Sequence, residues 1–331
     1  MGTERPGSQI MGTGAYAPAR VLTNLDLARM VDTSDEWIRE RTGITERRIA
    51  AEGENASDMA LAASVRALEA AGITAQDLDM IIVGTVTGDL PMPACAAILQ
   101  RKLGVTGIPA FDISAACAGF IYGLSIGDQF IRTGTKKRVL VVGVELLSRV
   151  LNWKDRVTCV LFGDGAGAAV VGPAGDDGRG ILSTRLYTDS TLVDSLCIRA
   201  GGTREPLTVE GLAEQRDKVH MVGSDIFKVA VKNLTSASRA ALDAAGFTAG
   251  DVKWVVPHQA NLRIIAQVAL RLDIPLERFV LNIERYGNTS SASIPIALDE
   301  ALRDGRIQRG DTVLMSALGA GISWGSALIR V

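Results

Sequence analysis

The sequence predicts an α/β fold made of two similar halves. With 331 residues the chain exceeds the ~250–300 at which a single hydrophobic core stops growing. Residues 67–82 and 241–256 are identical at eight of sixteen positions, and in both copies a helix ending in Ala-Ala-Gly leads through a turn into an apolar run. Strand-like and helix-like segments also alternate along the chain. We therefore expect two halves, residues 1–174 and 175–331, which share a central interface without a flexible linker.

Short apolar runs bounded by turn residues predict the strands. These runs are 9–13, 80–85, 110–114, 139–144, 166–171, 254–256, 279–282, 312–316 and 326–331. Amphipathic segments predict the helices, which are 57–71 with Ser57 as N-cap, 118–133, 225–245, 262–271 and 291–303. The polar segment 187–215 is rich in threonine, glycine and charged residues, and we expect it to form a long loop.

Composition excludes several classes of function. The net charge of −2 provides no global field to hold nucleic acid or an anionic membrane. The four cysteines are far apart and only two histidines are present, so neither a zinc site nor a disulfide scaffold is expected. The first twelve residues contain no apolar signal-peptide core, and the longest apolar runs are strand-sized. We therefore expect a reduced, cytoplasmic protein without a metal site, a membrane span or a nucleic-acid partner.

Cys117 stands out among the cysteines because it lies between a predicted strand and a predicted helix. A thiol at a helix N-terminus gains stabilisation of its thiolate from free backbone N–H groups and the helix dipole. Small residues on both sides leave room for a substrate to reach the sulfur. The alternative is a buried cysteine that acts only as a small apolar side chain, which is the interpretation for Cys95, Cys159 and Cys197.

The second half contributes a histidine in an equivalent place. His258 directly follows the repeated strand, at the carboxyl end where α/β proteins bind ligands. His220 lies in a polar segment without such a setting.

Asn288 precedes the predicted helix 291–303 and would cap it in the simplest interpretation. The duplication offers another reading, because the position equivalent to Cys117 is residue 291, close to Asn288. The two loops would then be related by pseudo-symmetry. Cysteine, histidine and asparagine in one cleft form a recognisable nucleophilic site.

Two glycine-rich segments have structural and functional interpretations. Residues 163–167 lack the spacing of a nucleotide loop and are expected to form a tight turn near the site. Residues 319–321 follow a strand, and would either present backbone N–H groups to an oxyanion or form a plain turn.

Five segments together resemble the β-ketoacyl-acyl-carrier-protein synthase III family. They are 35–44, 112–120, 162–167, 257–263 and 287–290, and they span nearly the whole chain in order. The resemblance implies a thiolase-like fold with two pseudo-symmetric βαβαβαββ halves in a five-layered α-β-α-β-α arrangement. The family's duplicated architecture would account for the internal repeat.

The resemblance also implies a decarboxylative Claisen condensation without a cofactor. Cys117 would take an acyl group from an acyl-coenzyme A, after which malonyl-acyl-carrier-protein binds. His258 and Asn288 would then stabilise the enolate formed as carbon dioxide leaves, and the carbanion would attack the acyl-cysteine. The backbone amides of Cys117 and Ala320 would hold the tetrahedral oxyanion, with Ala320 at a position where many relatives carry glycine.

Substrate contacts follow from the same resemblance. Trp37 and Arg156 would sandwich the adenine of coenzyme A, and Arg41 would bind its phosphates. Ser224, where relatives often carry asparagine, would lie at the pantetheine, and Arg263 would dock the acidic carrier protein.

Met92 matches the position that gates the acyl pocket across a homodimer in relatives. A flexible methionine there would admit chains longer than acetyl. Whether the product feeds fatty acids or a polyketide stays open.

Four rival interpretations have distinct marks. A non-decarboxylating acyltransferase of the same fold, acting in specialised metabolism, has no need to retain His258 and Asn288. A hydroxymethylglutaryl-coenzyme-A-synthase-like enzyme would need a glutamate base in a matching motif. A catalytically silent partner subunit would have lost Cys117, and a papain-like hydrolase would carry that family's signature around the cysteine.

Overall fold

Two mixed sheets organise the computed structural model, which describes residues 7–331. The strands are β1 (Ser8–Tyr16), β2 (Arg20–Thr23), β3 (Glu46–Ile49), β4 (Met80–Gly84), β5 (Ala110–Ile113), β6 (Val139–Leu146), β7 (Asp164–Pro173), β8 (Gly180–Thr188), β9 (Leu196–Ile198), β10 (Val219–Met221), β11 (Trp254–Pro257), β12 (Thr312–Gly319) and β13 (Ser323–Arg330). Buried apolar side chains line both faces of the central strands β4 and β6, which is why these strands are continuous apolar runs in the sequence.

The helices are α1 (Asn24–Leu27), α2 (Asp35–Thr42), α3 (Ala56–Ala71), α4 (Cys95–Lys102), α5 (Gly119–Arg132), α6 (Val209–Ala213), α7 (Gly223–Ala245), α8 (Leu262–Leu272), α9 (Ile283–Tyr286) and α10 (Ser293–Arg303). The two repeated segments have the same local structure, as the sequence predicts. Helices α3 and α7 both end at a left-handed glycine, Gly72 with φ 67° and Gly246 with φ 73°.

The two sheets have corresponding strand orders. The first runs β1-β7-β6-β4-β5 and the second runs β8-β13-β12-β11. In each, the repeated strand (β4 or β11) pairs in parallel with β6 or β12, and the next pairing is antiparallel. The predicted strand 279–282 would complete the second sheet, but it is reduced to an isolated parallel bridge between Val255 and Phe279. The duplication in the sequence is therefore a duplication of sheet topology, and a boundary at residue 174 stays a prediction.

Three apolar clusters show how the sheets and helices stack. Helices α3 and α4 pack on the outer face of the first sheet, and α7 and α8 pack on the outer face of the second. Helices α5 and α10 lie between the sheets, where Phe120, Leu124, Ile294 and Leu298 belong to one apolar cluster with residues of both sheets. This order is the five-layered α-β-α-β-α arrangement that the resemblance implied, which is thereby confirmed.

Several local predictions need correction. Asn55 is the N-cap of α3, whereas Ser57 lies inside the helix and bonds the Asp89 carboxylate through its hydroxyl and its backbone N–H. The predicted helix 118–133 begins as a 3₁₀ turn before α5. Segment 187–215 is not one long loop, because it contains the end of β8, all of β9 and the short helix α6. No helix among residues 7–331 has the length and apolar character to span a membrane.

Candidate active site

Cys117 lies in the 3₁₀ turn Ala116–Ala118, between β5 and α5, and its side chain is buried. The turn is pressed against the end of β12, where a Cβ atom on Gly319 would lie 2.5 Å from the Cys117 backbone nitrogen. Burial raises the pKa of the Cys117 thiol to about 12, while a hydrogen bond with Ser290 acts in the opposite direction. The α-helix itself begins two residues later, at Gly119, so the cysteine does not start it as predicted. Burial therefore favours the protonated form of the thiol.

His258 follows β11 and is buried, with its backbone N–H donating to the Ser316 carbonyl over 2.8 Å. Its Nδ1 lies 2.7 Å from the Ser293 hydroxyl oxygen. That oxygen also accepts from the Gln259 backbone N–H over 3.4 Å, so its own hydrogen can point at Nδ1. Burial lowers the pKa of His258 to about 3, which keeps the ring neutral. This arrangement favours the tautomer with its proton on Nε2, which makes Nε2–H a hydrogen-bond donor.

Asn288 is fixed by a parallel bridge to Phe162. Its backbone N–H donates to the Leu161 carbonyl over 2.8 Å, and its carbonyl accepts from the Gly163 N–H over 3.0 Å. The side-chain Oδ1 accepts from the Ser290 N–H over 2.9 Å, which leaves the amide NH₂ group to donate. Ala292 is the residue before α10, so the interpretation of Asn288 as its N-cap is wrong.

The glycine-rich segment 162–167 supports this bridge. A Cβ atom on Gly163 would lie 2.4 Å from the Tyr286 carbonyl oxygen, so a larger residue would push the Asn288 segment away. Asp164 begins β7 and holds Ser148 and the Ala50 N–H through its carboxylate. The segment is thus part of the wall behind the site, and because residues 164–167 belong to β7, the predicted tight turn is wrong.

One short serine-rich segment connects the three predicted residues. Ser290 bonds the Asn288 side chain through its N–H and lies beside Cys117 on the wall of one cavity, and Ser293 bonds the His258 ring. The sequence predicts that Cys117, His258 and Asn288 lie in one cleft. In the structure Asn288 begins the segment 288–293, and Cys117 and His258 lie next to serines of that segment.

A cavity of about 220 Å³ opens at the Cys117 thiol. Its walls are mainly apolar, and Ser290 and Ala320 lie on it beside Cys117. The remaining lining residues are Val86, Ala116, Leu147, Phe162, Leu196, Cys197, Ile198 and Val219. Strands β9 and β10 thus form one side of the cavity. The polar segment 187–215, which contains β9, therefore contributes to the wall of the site.

A second, more open cleft of about 470 Å³ contains Trp37, Arg41, Ser224 and Arg263. The guanidinium of Arg41 lies 4.6 Å from the Trp37 ring centroid, and that of Arg156 lies 5.3 Å from it. A base stacked between Trp37 and Arg156 needs a separation of about 7 Å, twice an ordinary contact distance, so Arg156 would have to move outward. The structure brings the predicted nucleotide contacts together.

Met92 does not line the cavity in the single chain. Its side chain is 84% exposed on the loop after β4. A role as gate would therefore require a second copy of the chain.

Three polar residues at the site escaped the sequence prediction: Glu145, Ser290 and Ser293. Glu145 is the one acidic residue in the apolar run of β6, which is a signal in the sequence. The two serines lie in a run of small polar residues and carry no signal of their own. Among residues 7–331 no group of three or more histidine, cysteine or acidic side chains is placed to hold a metal ion.

A five-layered fold with a buried cysteine at the junction of two pseudo-symmetric halves defines a class, the thiolase-fold enzymes that transfer acyl groups. Family models narrow the class. Residues 111–190 match the model for 3-oxoacyl-[acyl-carrier-protein (ACP)] synthase III, and residues 242–331 match the model for its C-terminal part.

Relatives agree with the models. The chain is 51% identical over 332 residues to β-ketoacyl-[acyl-carrier-protein] synthase III of Xanthomonas campestris pv. campestris, with 99% of both chains covered. It also resembles the structure of 3-oxoacyl-[acyl-carrier-protein] synthase III from Aquifex aeolicus, with a TM-score of 0.90 and 48% identity over 98% of this chain and 100% of that one. It is also similar to the structure of the priming β-ketosynthase from the R1128 polyketide biosynthetic pathway, with a TM-score of 0.90 and 38% identity. This match covers 100% of this chain and 98% of that one. The chain therefore belongs to the β-ketoacyl-acyl-carrier-protein synthase III family and is an acyltransferase.

Proposed function

We propose that this enzyme condenses an acyl-coenzyme A with malonyl-acyl-carrier-protein, releases carbon dioxide and forms the β-ketoacyl-acyl-carrier-protein that initiates fatty-acid synthesis. The observation that carries this proposal is the convergence of Cys117, His258 and Asn288 on residues 288–293, beside an apolar cavity. The nucleophile comes from one half and the two polar donors come from the other.

In the first half-reaction the acyl chain occupies the cavity and Cys117 attacks its thioester carbonyl. The apolar walls favour hydrocarbon, and each buried methylene contributes about 0.8 kcal/mol. The backbone N–H groups of Cys117 and Ala320 stabilise the tetrahedral oxyanion, because donors already in place need no reorganisation as charge develops. Coenzyme A then leaves as the thiol after taking up a proton.

In the second half-reaction the malonyl thioester oxygen accepts hydrogen bonds from His258 Nε2–H and the Asn288 NH₂ group. Both donors are neutral and fixed by their own partners. They stabilise the enolate left by loss of carbon dioxide more than the ground-state carbonyl. The enolate carbon attacks the acyl-cysteine, and Cys117 leaves.

The open cleft binds coenzyme A. Trp37 and Arg156 hold the adenine, Arg41 the phosphates and Ser224 the pantetheine, while Arg263 at the rim meets the acidic carrier protein. Acyl-coenzyme A is a substrate, and the reaction calls on no cofactor.

The working form is a homodimer. Strand β5 is one of the two edge strands of the first sheet, and edge strands favour pairing with another chain. The exposed Met92 would then reach the cavity of the second copy.

The test is a two-stage reaction of wild type and Cys117→Ala with a panel of acyl-coenzyme A thioesters. Mass spectrometry should find the acyl group on Cys117 of the wild type only, and added malonyl-acyl-carrier-protein should then yield carbon dioxide and β-ketoacyl product. An acyl-cysteine that transfers its acyl group without decarboxylation would favour the rival acyltransferase. A strict preference for acetyl would contradict the role of Met92.

A further inference from the structure

Glu145 is a fully buried carboxylate behind the cysteine, and the condensation steps above do not use it. It lies near the end of β6 with 0% exposure. Among residues 7–331 no cation lies within salt-bridge distance of it. Its oxygens accept only from neutral groups, chiefly the Thr87 hydroxyl over 2.5 Å, the Val86 N–H over 3.2 Å and the Ser290 hydroxyl over 3.2 Å. A buried acid without a compensating charge is costly, which calls for a functional explanation.

Ser290 links this carboxylate to the reacting sulfur. Its hydroxyl donates to Glu145 Oε1 over 3.2 Å, and Ser290 lines the cavity beside Cys117, where its hydroxyl lowers the pKa of the thiol. Its backbone adopts the left-handed conformation, with φ 48°, which is uncommon for a residue other than glycine. Its N–H is held by Asn288 Oδ1. The hydroxyl is therefore held by a proton acceptor, Glu145, next to a proton donor, the Cys117 thiol.

We propose that Glu145, acting through Ser290, accepts the proton of the Cys117 thiol during acylation and returns it when the product leaves. Ser290 lies beside the reacting sulfur, whereas Glu145 is a positioning residue that holds the proton. This inference rests on the proposed function and deepens it.

The protons balance over the cycle. As Cys117 attacks the acyl-coenzyme A, its S–H proton passes to Ser290 Oγ while the Ser290 proton passes to Glu145, and the departing thiolate of coenzyme A takes a proton from solvent. In the condensation, the bond between Cys117 Sγ and the acyl carbon breaks, and the sulfur leaves with the electron pair. The proton then returns from Glu145 through Ser290 to this thiolate. The one proton consumed overall is the one that coenzyme A takes from water.

A neutral Glu145 also suits the second half-reaction. The malonyl carboxylate and the enolate are anions, and an ionised carboxylate nearby would oppose them in a medium of low dielectric constant. Storing the thiol proton on Glu145 removes this repulsion at the stage when the anionic substrate binds.

Burial raises the pKa of Glu145 to about 7, which makes both protonation states accessible near neutral pH. The Glu145 carboxylate in turn helps to raise the pKa of the Cys117 thiol. The other titratable groups on the elements packed against β6 engage partners elsewhere or are exposed. Asp164 bonds Ser148, Asp128 bonds Arg132, Asp299 bonds Arg303, Glu300 bonds Tyr286, Asp58 bonds Lys102, Arg66 bonds the Ala15 carbonyl, Tyr122 bonds the Tyr187 carbonyl, and Glu69 is exposed.

The pH dependence of the two half-reactions tests the proposal, since a purely structural role would not produce opposite profiles. Acylation needs the carboxylate, so its rate in the wild type should rise through an apparent pKa of about 7. Condensation from isolated acyl-enzyme needs the carboxylic acid, so its rate should fall through the same region. Rapid-quench mass spectrometry between pH 5.5 and 8.5 measures both, using the acyl-coenzyme A that acylates the wild type fastest.

Three variants and one independent probe complete the design. Glu145→Gln keeps the shape of the side chain but cannot take a proton, and Ser290→Ala leaves Glu145 intact but removes the link. Each should slow acylation at pH 8 about 100-fold and abolish its inflection, and Glu145→Gln should also abolish the inflection of the condensation. Ser291→Ala is the matched control, because Ser291 also donates to Glu145 and to the Gly84 carbonyl but does not bond the thiol, and it should retain both inflections. Alkylation of Cys117 by iodoacetamide should follow the acylation profile.

The possible outcomes separate this inference from the proposed function. If Glu145→Gln acylates at the wild-type rate with its inflection intact, the proton-holding role is refuted while the condensation stands. If the wild type forms no acyl-cysteine or releases no carbon dioxide, the proposed function fails. The alkylation profile of wild type and Glu145→Gln then still decides whether Glu145 assists the thiol.

Discussion

The hydrogen bond between Ser293 and His258 predicts a selective defect in one half-reaction. Ser293 and the ring are both buried, and 2.7 Å separates the hydroxyl oxygen from Nδ1. Ser293→Ala would leave Nδ1 without this partner, and an unsatisfied buried acceptor costs about 1–3 kcal/mol. Because the serine favours the tautomer with a proton on Nε2, this free energy appears as lost stabilisation of the enolate. It corresponds to a rate of decarboxylation lower by roughly 5- to 160-fold.

The assay is a single turnover of pre-acylated enzyme with malonyl-acyl-carrier-protein labelled in the free carboxyl group. Release of labelled carbon dioxide should slow within this range, while acylation of Cys117 stays within about twofold of the wild type. Ser183→Ala is a matched control, because it removes a buried hydroxyl that bonds the Ala241 carbonyl away from the site. An equal decrease in the rates of both half-reactions, or an unchanged rate of carbon dioxide release, would refute the claim that Ser293 orients the His258 ring for enolate stabilisation.

Three further predictions follow from the geometry. Gly319→Ala would place a Cβ atom 2.5 Å from the Cys117 backbone nitrogen and displace an oxyanion donor. The acylation rate should therefore fall about 100-fold while the circular dichroism spectrum stays unchanged. A fully active variant would contradict the close packing of Gly319 against Cys117. Trp37→Ala should raise the KM for acyl-coenzyme A about tenfold without changing kcat, and should leave the KM for the matching acyl-pantetheine unchanged, since that substrate lacks the base. Because burial lowers the pKa of His258 to about 3, its ring resonance, assigned with His258→Ala, should show no inflection between pH 5 and 8 by NMR; an inflection near 6.5 would mean that the ring is open to water.

Much of the architecture was predictable because duplication and apolar runs are local signals. The two copies of Ala-Ala-Gly end their helices in the structure as they do in the sequence pattern. Strand β8 was missed because its nine residues mix polar and apolar side chains and pair at the edge of a sheet with β13, which follows more than a hundred residues later. Pairing over that distance leaves little mark in a local window.

The placement of the three candidate residues was predictable, and their environment was not. Cys117, His258 and Asn288 each stand next to a predicted element, so the topology brings them together. Burial raises the pKa of the Cys117 thiol, and this effect had no signal in the sequence because burial depends on the packing of both halves. Ser290 and Ser293 act through single hydrogen bonds across the interface, and such contacts have no pattern along the chain.

The central claim is that the first half provides the nucleophile and the second half provides the donors for decarboxylation. Carbon dioxide release by His258→Ala and Asn288→Ala, each loaded with an acyl group beforehand, tests it most directly. The account predicts that both variants accumulate acyl-Cys117 at close to the wild-type rate and then release carbon dioxide at least about 100-fold more slowly. Release at the wild-type rate from either acyl-enzyme, or an acyl group on a residue other than Cys117, would contradict it.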